Sequence, residues 1–272
     1  MACRRSVAFP VRLEIRNLSV TFRTGLEATR GVDLVVESGE FVALVGPSGC
    51  GKSTVLNAVA SLLPAHEAQV RGEILVDGLD IRSRSARELE FGYVFQRDSL
   101  LPWRTIEGNI AAGLEIRGVG RREREARVAR LVELAGLTGF ERAFPHQLSG
   151  GMRQRAALVR ALAYEPRLIL MDEPFGALDA QTRLALQAKL LDMWQRARTT
   201  MLFVTHDLAE AILLAQRVVL FSRRPGTVRE IVAIDLPYPR DPFALRGNPR
   251  FAALEAELWQ LLQHDYRELA AA

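Results

Sequence analysis

Two glycine-bearing turns, about a hundred residues apart, are suited to hold anions: Gly46-Pro47-Ser48-Gly49-Cys50-Gly51-Lys52-Ser53-Thr54 and Leu148-Ser149-Gly150-Gly151. The first has the spacing G-x-x-x-x-G-K-[ST], in which main-chain N–H groups cradle phosphates while the lysine and the hydroxyl meet the terminal phosphates and Mg²⁺. Gly46, Gly49 and Gly51 let the backbone take positive φ and come close to a ligand. On this pattern Lys52 reaches the β- and γ-phosphates, Ser53 binds Mg²⁺ and Thr54 sits against the α-phosphate, with Pro47, Ser48 and Cys50 completing the loop. All but two of the 36 Lys and Arg residues are arginine, and Lys52 is one of the two exceptions. A compact ammonium suits the narrow space between two phosphates, where a planar guanidinium fits poorly.

Three further groups follow short apolar runs. Asp172-Glu173 ends Leu168–Met171, His206 ends Thr200–Thr205, and Gln96 ends Phe91–Phe95. Ligands of open α/β sheets bind beyond the carboxyl ends of the strands. Asp172 is therefore expected to hold Mg²⁺ through a water, and Glu173 to orient and polarise an attacking water as general base. His206 is expected to meet the γ-phosphate, and Gln96 to meet both Mg²⁺ and the attacking water. Taken singly, the carboxylates read equally as solvated charges and the histidine as structural. Ser149, Gly150 and Gly151 open a helix in which Met152, Ala156, Val159 and Leu162 recur at helical spacing. That end reads as a second anion site, or as a plain cap made by Ser149, and the two roles can coexist. One nucleotide needs only one such turn, so the pair suggests that each copy lends its second turn to a nucleotide held by another copy.

The elements that must position these groups can be traced along the chain. Leu13–Phe22, Val32–Glu37 and Phe41–Val45 read as strands, with Ser38-Gly39 as the turn between the last two. Val55–Ala60 starts a helix directly after the first loop. Glu73–Asp77 and Phe91–Phe95 read as continuing the sheet, and residues 97 to 147 become helical and charge-rich. Strand–helix alternation resumes near Leu168, implying parallel strands with crossover helices. A strand is expected at Val228–Ile234, and a helix over 250–269 with Phe251, Leu254, Leu258, Leu261, Leu262 and Tyr266 on one face. Leu100, Leu101 and Trp103 form an apolar knot beside Gln96, read either as packing or as a groove for a partner's helix. The basic residues from Arg117 to Arg130 alternate with Glu123 and Glu125 and read as a solvated helix face.

With 49% hydrophobic and 25% charged residues the chain belongs to the ordinary globular class. Nowhere do 18 apolar residues run together, so no transmembrane helix is expected. Pro10 and Arg12 interrupt the run after Arg4-Arg5, which argues against an export signal. Cys3 and Cys50 do not make a disulfide framework. The net charge of +4 is mild and could favour an anionic membrane surface or nucleic acid, though no nucleic acid is expected as a partner.

The residues together resemble the ATP-binding subunits of ABC transporters. Gly46–Thr54 resembles the Walker A motif, Gln96 the Q-loop, Leu148–Arg155 the signature motif, Leu168–Glu173 the Walker B motif with its glutamate, Ala177-Leu178-Asp179 the D-loop, and His206 the switch histidine. Phe22 falls where the family has an aromatic ring stacking on adenine. The resemblance spans residues 13 to about 225. It implies an α/β P-loop NTPase (RecA-like) fold: a mixed-sheet core with antiparallel N-terminal strands and an inserted helical subdomain. An ATP-binding domain is expected over 11–245, its helical subdomain at about 97–165, and a C-terminal helical extension over 246–272. It also implies an ATPase using Mg²⁺, working as an ATP-sandwich homodimer in which Ser149, Gly150, Gly151 and Asp179 contact the nucleotide of the opposite subunit. Transmembrane permease subunits and, indirectly, an external solute-binding protein are the implied partners, with the chain peripheral on the cytoplasmic face of the cell membrane. Leu101-Pro102-Trp103, Pro174–Ala180, Thr205–Ala211, Pro225-Gly226 and Pro239-Arg240 are similar to the nitrate, sulfonate and taurine import branch. The chain departs from it in Ser61-Leu62-Leu63, where a glycine is common, and in the longer stretch Pro64–Arg71. An importer of another small molecule, or an ABC ATPase with no transport role, is the alternative.

Overall fold

The structure is a computed structural model, which describes residues 10–83 and 91–270. Cys3 and the Arg4–Phe9 stretch lie outside the described residues. The elements run β1 (Leu13–Phe22), β2 (Glu27–Val36), β3 (Phe41–Val45), α1 (Lys52–Val59), β4 (Ala68–Val76), β5 (Leu79–Asp80), β6 (Phe91–Val94), α2 (Ile106–Ile116), α3 (Arg121–Leu134), α4 (Gly150–Leu162), β7 (Leu168–Asp172), α5 (Ala180–Ala197), β8 (Thr200–Val204), α6 (Leu208–Leu214), β9 (Arg217–Phe221), β10 (Val228–Ala233) and α7 (Pro249–Ala270).

Two sheets divide the strands. A six-stranded sheet has the order β10-β9-β3-β8-β7-β6, parallel except for the antiparallel edge strand β10. Its central strands β3, β7 and β8 are buried at every position. Continuous apolar runs of this kind form where helices or a second sheet cover both faces. The second sheet, β2-β1-β4-β5, is antiparallel throughout. Its apolar residues, among them Leu13, Ile15, Val20, Val32 and Leu34, join Leu44, Leu170, Leu202 and α1 in one core. On the other face, α5, α6, α7 and part of α4 enclose a second core around Trp194, Phe41, Phe175 and Phe203.

The helices α2, α3 and α4 gather a third core, including Ile106, Ile110, Leu114, Val132 and Leu137. Helix α4 serves two cores at once. Ala156 and Val159 face the helical core, whereas Leu158 and Leu162 face the sheet. The single stripe expected from Met152, Ala156, Val159 and Leu162 is thus split between two faces.

Other expectations are corrected in detail. Strand β2 begins at Glu27, not Val32, and β4 runs from Ala68, so the Pro64–Arg71 stretch contributes strand rather than extra loop. Pairing to β1 draws these residues in, across an irregular register opposite Asn17. The strands at Glu73–Asp77 and Phe91–Phe95 do not continue one sheet: β4 belongs to the antiparallel sheet and β6 to the parallel one. Between Gln96 and α2 the chain is irregular rather than helical. Buried Asn109 holds it there, donating to the carbonyls of Leu101, Arg104 and Thr105 and accepting from Leu101 N. The apolar knot separates. Leu100 lies inside the helical core, while Trp103 is 72% exposed.

Helix α7 docks Phe251, Leu254, Leu258 and Leu262 into the same core as Trp194, and Leu261 is half-buried against it. The side chain of Tyr266 lies outside the described residues. Upstream, Arg240 is only 4% exposed. Its guanidinium donates to the carbonyls of Ile212, Leu213 and Ala215 at the end of α6 and of Ile234 and Leu236. It also lies 4.0 Å from the centre of the Tyr238 ring. A cation at a helix C-terminus answers both the orphaned carbonyls and the dipole. Arg121 and Glu125, and Glu123 and Arg127, form i,i+4 pairs on α3, as a solvated face implies.

Candidate active site

The register of the parallel sheet brings four strand ends to one edge. Val94 pairs with Met171, Asp172 with Val204, and Leu44 with Val204. Gln96, Asp172, Glu173, His206 and the loop Gly46–Ser53 all leave from that edge.

The loop curls around Lys52, which is 6% exposed. Its Nζ donates to Gly46 O at 2.7 Å and Pro47 O at 2.9 Å, and lies 3.6 Å from the buried Cys50 Sγ. Gly51, with φ of 105°, caps α1, and a Cβ there would stand 2.6 Å from Ala28 O. The loop is backed from outside by Gly226, where a Cβ would stand 2.0 Å from Cys50 O. Gly226 is itself fixed by main-chain bonds to Ala28 and Arg30 of β2. Pro225-Gly226 thus serves as a wall of the loop, a role the sequence reading did not assign.

Ser53 Oγ donates to Asp172 Oδ1 at 2.9 Å. Burial pushes the Asp172 carboxyl up, the Ser53 hydroxyl pulls it down, Glu173 raises it and Lys52 lowers it. A hydroxyl and a carboxylate side by side are the hard oxygen donors that Mg²⁺ takes alongside phosphate oxygens and water. Among the described residues no group of three or more His, Cys, Asp and Glu gathers as a metal cage.

Glu173 is held between two side chains: Gln96 Nε2 donates to Oε2 at 3.2 Å, and His206 Nδ1 lies 3.3 Å from Oε1. Its backbone has φ of 47°, a left-handed conformation that costs a non-glycine residue about 1–3 kcal/mol. Three contacts enforce it. Glu173 N donates to Val204 O at 2.9 Å, Gly176 N donates to Glu173 O at 3.2 Å, and Gln154 Nε2 donates to the same carbonyl at 3.1 Å. Gln154, 3% exposed, also accepts from Ala177 N at 2.9 Å, so α4 is fastened to the segment after Glu173. Gln154→Leu is expected to orphan Ala177 N and to leave Glu173 O with the bond from Gly176 N alone. The orphaned group costs about 1–3 kcal/mol of stability, read by urea unfolding, and ATP turnover should fall with it.

The second turn sits elsewhere on the same helix. Ser149 caps α4 by accepting from Met152 N at 3.3 Å, so the plain-cap reading is realised. A Cβ on Gly151 would stand 3.3 Å from Leu178 Cδ2, which puts this turn against the 177–178 segment. Asp179 caps α5 by accepting from Thr182 N at 3.0 Å, and that bond holds its carboxyl below the usual range. Ser149, Gly150, Gly151 and Asp179 thus form one neighbourhood of helix starts. Phe22 ends β1, half-buried against the antiparallel-sheet core. Sequence reasoning gave no role to Asn109, Gln154, Arg183 or Glu210. Gln154 and Glu210 stand inside quoted motifs, which was the available signal.

A family model described as "ABC transporter" matches residues 29–176. "Uncharacterized ABC transporter ATP-binding protein MJ0412" of Methanocaldococcus jannaschii is 44% identical over 234 residues, covering 85% of this chain and 85% of its own length. "Aliphatic sulfonates import ATP-binding protein SsuB" of Bacillus cereus is 44% identical over 215 residues, covering 79% and 82%. A solved chain described as "Dimeric structure of a post-hydrolysis state of the ATP-binding cassette MJ0796 bound to ADP and Pi" superposes with a TM-score of 0.74 at 31% identity, over 83% of this chain and all of that one. Among the described residues no helix is long and apolar enough to cross a membrane. The strand edge that joins a lysine-filled phosphate loop to Asp172, Glu173, Gln96 and His206 therefore belongs to an ATP-binding, ATP-hydrolysing member of the ABC transporter family.

Proposed function

We propose that this chain energises a membrane importer of aliphatic sulfonates or a closely similar small anion, hydrolysing ATP to ADP and phosphate. The observation that carries the chemistry is the Gln96–Glu173–His206 cluster beside Ser53–Asp172. Lys52 and the loop amides take the phosphates in place of the loop's internal contacts. Ser53, Asp172 and Gln96 are the side chains that hold Mg²⁺, which when bound neutralises charge developing on the phosphate oxygens. Glu173 accepts the proton of the attacking water, Gln96 orients that water, and His206 contacts the γ-phosphate. Phe22 stacks on the adenine. A second copy of the chain closes the site with Ser149, Gly150, Gly151 and Asp179. In support of this, a 31% identical cassette is described as dimeric. The sulfonate assignment is supported by the relatives named for aliphatic sulfonate import.

The permease contact is assigned to the groove of about 650 Å³ between α2 and α3. Glu107, Glu115, Glu125, Glu133 and Glu141 line it with Arg124 over Val128 and Val132; Glu115 and Glu125 pair with Arg104 and Arg121, which leaves an acidic excess that suits a short helix apolar on one side and basic at its edges. This replaces the knot around Leu100, which is buried. The chain then lies on the cytoplasmic face of the membrane, and a solute-binding protein outside delivers the cargo.

The test is reconstitution in vesicles with a permease and solute-binding protein from the same gene neighbourhood. Sulfonate-dependent ATP hydrolysis supports the assignment. Stimulation only by an unrelated solute would overturn the sulfonate part. Reversing the groove charge with Glu107→Arg and Glu133→Arg is expected to abolish co-purification with the permease, the thermal midpoint of the isolated chain serving as the check on folding. Unchanged assembly would exclude the groove.

A further inference from the structure

The turn that presents His206 is tied from beneath to the helix that presents Asp179. Arg183 lies one turn into α5. Its Nη2 donates to Leu178 O at 3.1 Å, beside Asp179. Its Nη1 lies 3.6 Å from Asp207 Oδ2 and its Nε 3.7 Å from Glu210 Oε1. That Nε is buried and has no hydrogen bond, so the nearby carboxylate is what offsets its burial. Glu210, in the first turn of α6, is 7% exposed. It accepts from Gln187 Nε2 of α5 at 3.1 Å and from Thr205 Oγ1 at 2.7 Å. Thr205 Oγ1 accepts from Asp207 N at 3.0 Å, and Asp207 caps Glu210 N at 3.1 Å. His206 is thus flanked on both sides by residues of one network, whose other end is the start of α5.

We propose that Glu210 and Arg183 are positioning residues for ATP hydrolysis, locking the His206 turn to the Asp179 end of α5 so that contact made by a second copy at Asp179 sets the place of His206. This rests on the roles given above to His206 and Asp179. Neither Glu210 nor Arg183 touches the loop that holds the phosphates. They act by geometry: Arg183 joins the carbonyl before Asp179 to the carboxylates on either side of the histidine's helix start. Such coupling requires a chain of packed, bonded groups, and its demonstration requires paired substitutions.

The same cluster makes the lock sensitive to pH. Burial pushes the Glu210 carboxyl up to about 7, with the Thr205 hydroxyl pulling it down, Asp207 pushing it up, and Arg183 and His206 drawing it down. The residues that close the far side, Pro242, Leu245 and Phe251, carry no charge. The ionised carboxyl attracts Arg183, and the neutral one does not. Turnover should therefore fall as pH drops through about 7. Stability moves the other way. The folded chain holds this proton above the ordinary carboxyl value of 4.5, so ionisation costs folding free energy as pH rises from 4.5 to about 7. Glu210→Gln removes that cost.

The experiment is steady-state ATP hydrolysis by the full-length chain between about pH 5.5 and 8.5, a range that brackets the carboxyl's titration. Glu210→Gln is expected to lower kcat about tenfold at the alkaline end, with KM for ATP little changed, and to flatten the step near neutrality. Its thermal midpoint should rise relative to wild type with increasing pH, so lost folding cannot account for lost rate. Arg183→Met should match it, Arg183→Lys should recover part of the rate, and the double substitution should be no worse than either single one. A wild-type kcat with an unchanged pH step in Glu210→Gln, or fully additive losses in the double variant, would overturn the proposal. If instead His206→Ala hydrolyses ATP at the wild-type rate, it is the underlying assignment of the histidine that fails.

Discussion

Glu173→Gln is expected to slow ATP hydrolysis by about 10²–10⁴-fold, the usual range for a lost general base, while nucleotide affinity is retained. The substitution keeps size and shape. The side-chain oxygen that accepts from Gln96 at 3.2 Å persists, but the carboxylate that takes a proton from water is gone. The left-handed backbone at this position is held by Val204 O, Gly176 N and Gln154, none of which depends on the carboxylate. ATP should therefore bind and hold two copies together without being consumed. Size-exclusion chromatography with ATP and Mg²⁺ should show a dimer that persists, and single-turnover measurement should show the lost rate. Hydrolysis at the wild-type rate would remove Glu173 from the general-base role and leave His206 as the remaining candidate.

Lys52→Ala should act at the opposite end, on binding itself. The ammonium is nearly enclosed and donates to two carbonyls of its own loop. Hydrogen bonds to a charged group are worth about 1.5–3 kcal/mol each, so losing those to the phosphates should weaken ATP binding by about a hundredfold or more. The empty loop also loses the cation around which it curls, which adds to the loss. Calorimetric titration at fixed ionic strength reads both. Lys52→Arg should not restore affinity, because a planar fork does not fit where three donors converge from one nitrogen. Affinity within a factor of two of wild type would show that the loop amides alone hold the nucleotide.

The two substitutions separate binding from chemistry, and the placement of both residues at one sheet edge was legible in the sequence. Local spacing was enough to place Lys52, and a strand-end position to place Glu173 and His206. The strands were legible for the same reason: Phe41–Val45 and Leu168–Met171 are apolar at every position because both their faces are covered. What spacing does not encode is pairing between distant segments. Nothing local says that Ala68 to Arg71 is strand, because only β1 makes it so. Nothing local says that Leu100 turns inward while Trp103 turns out, because Asn109 holds that segment. The supports of the site were missed for the same reason. Gln154, Arg183 and Glu210 each act across a gap in sequence, on Glu173, Asp207 and Gln187.

Arg240 sets a limit on how the chain can be trimmed. Its guanidinium closes the end of α6 from 28 residues beyond Ile212, and α6 begins beside His206. The stretch after β10 is therefore not an appendage that engineering can dispense with. A cut upstream of residue 240 strips the far terminus of the helix whose near terminus flanks the histidine, whereas a fusion placed after α7 leaves that stitch intact.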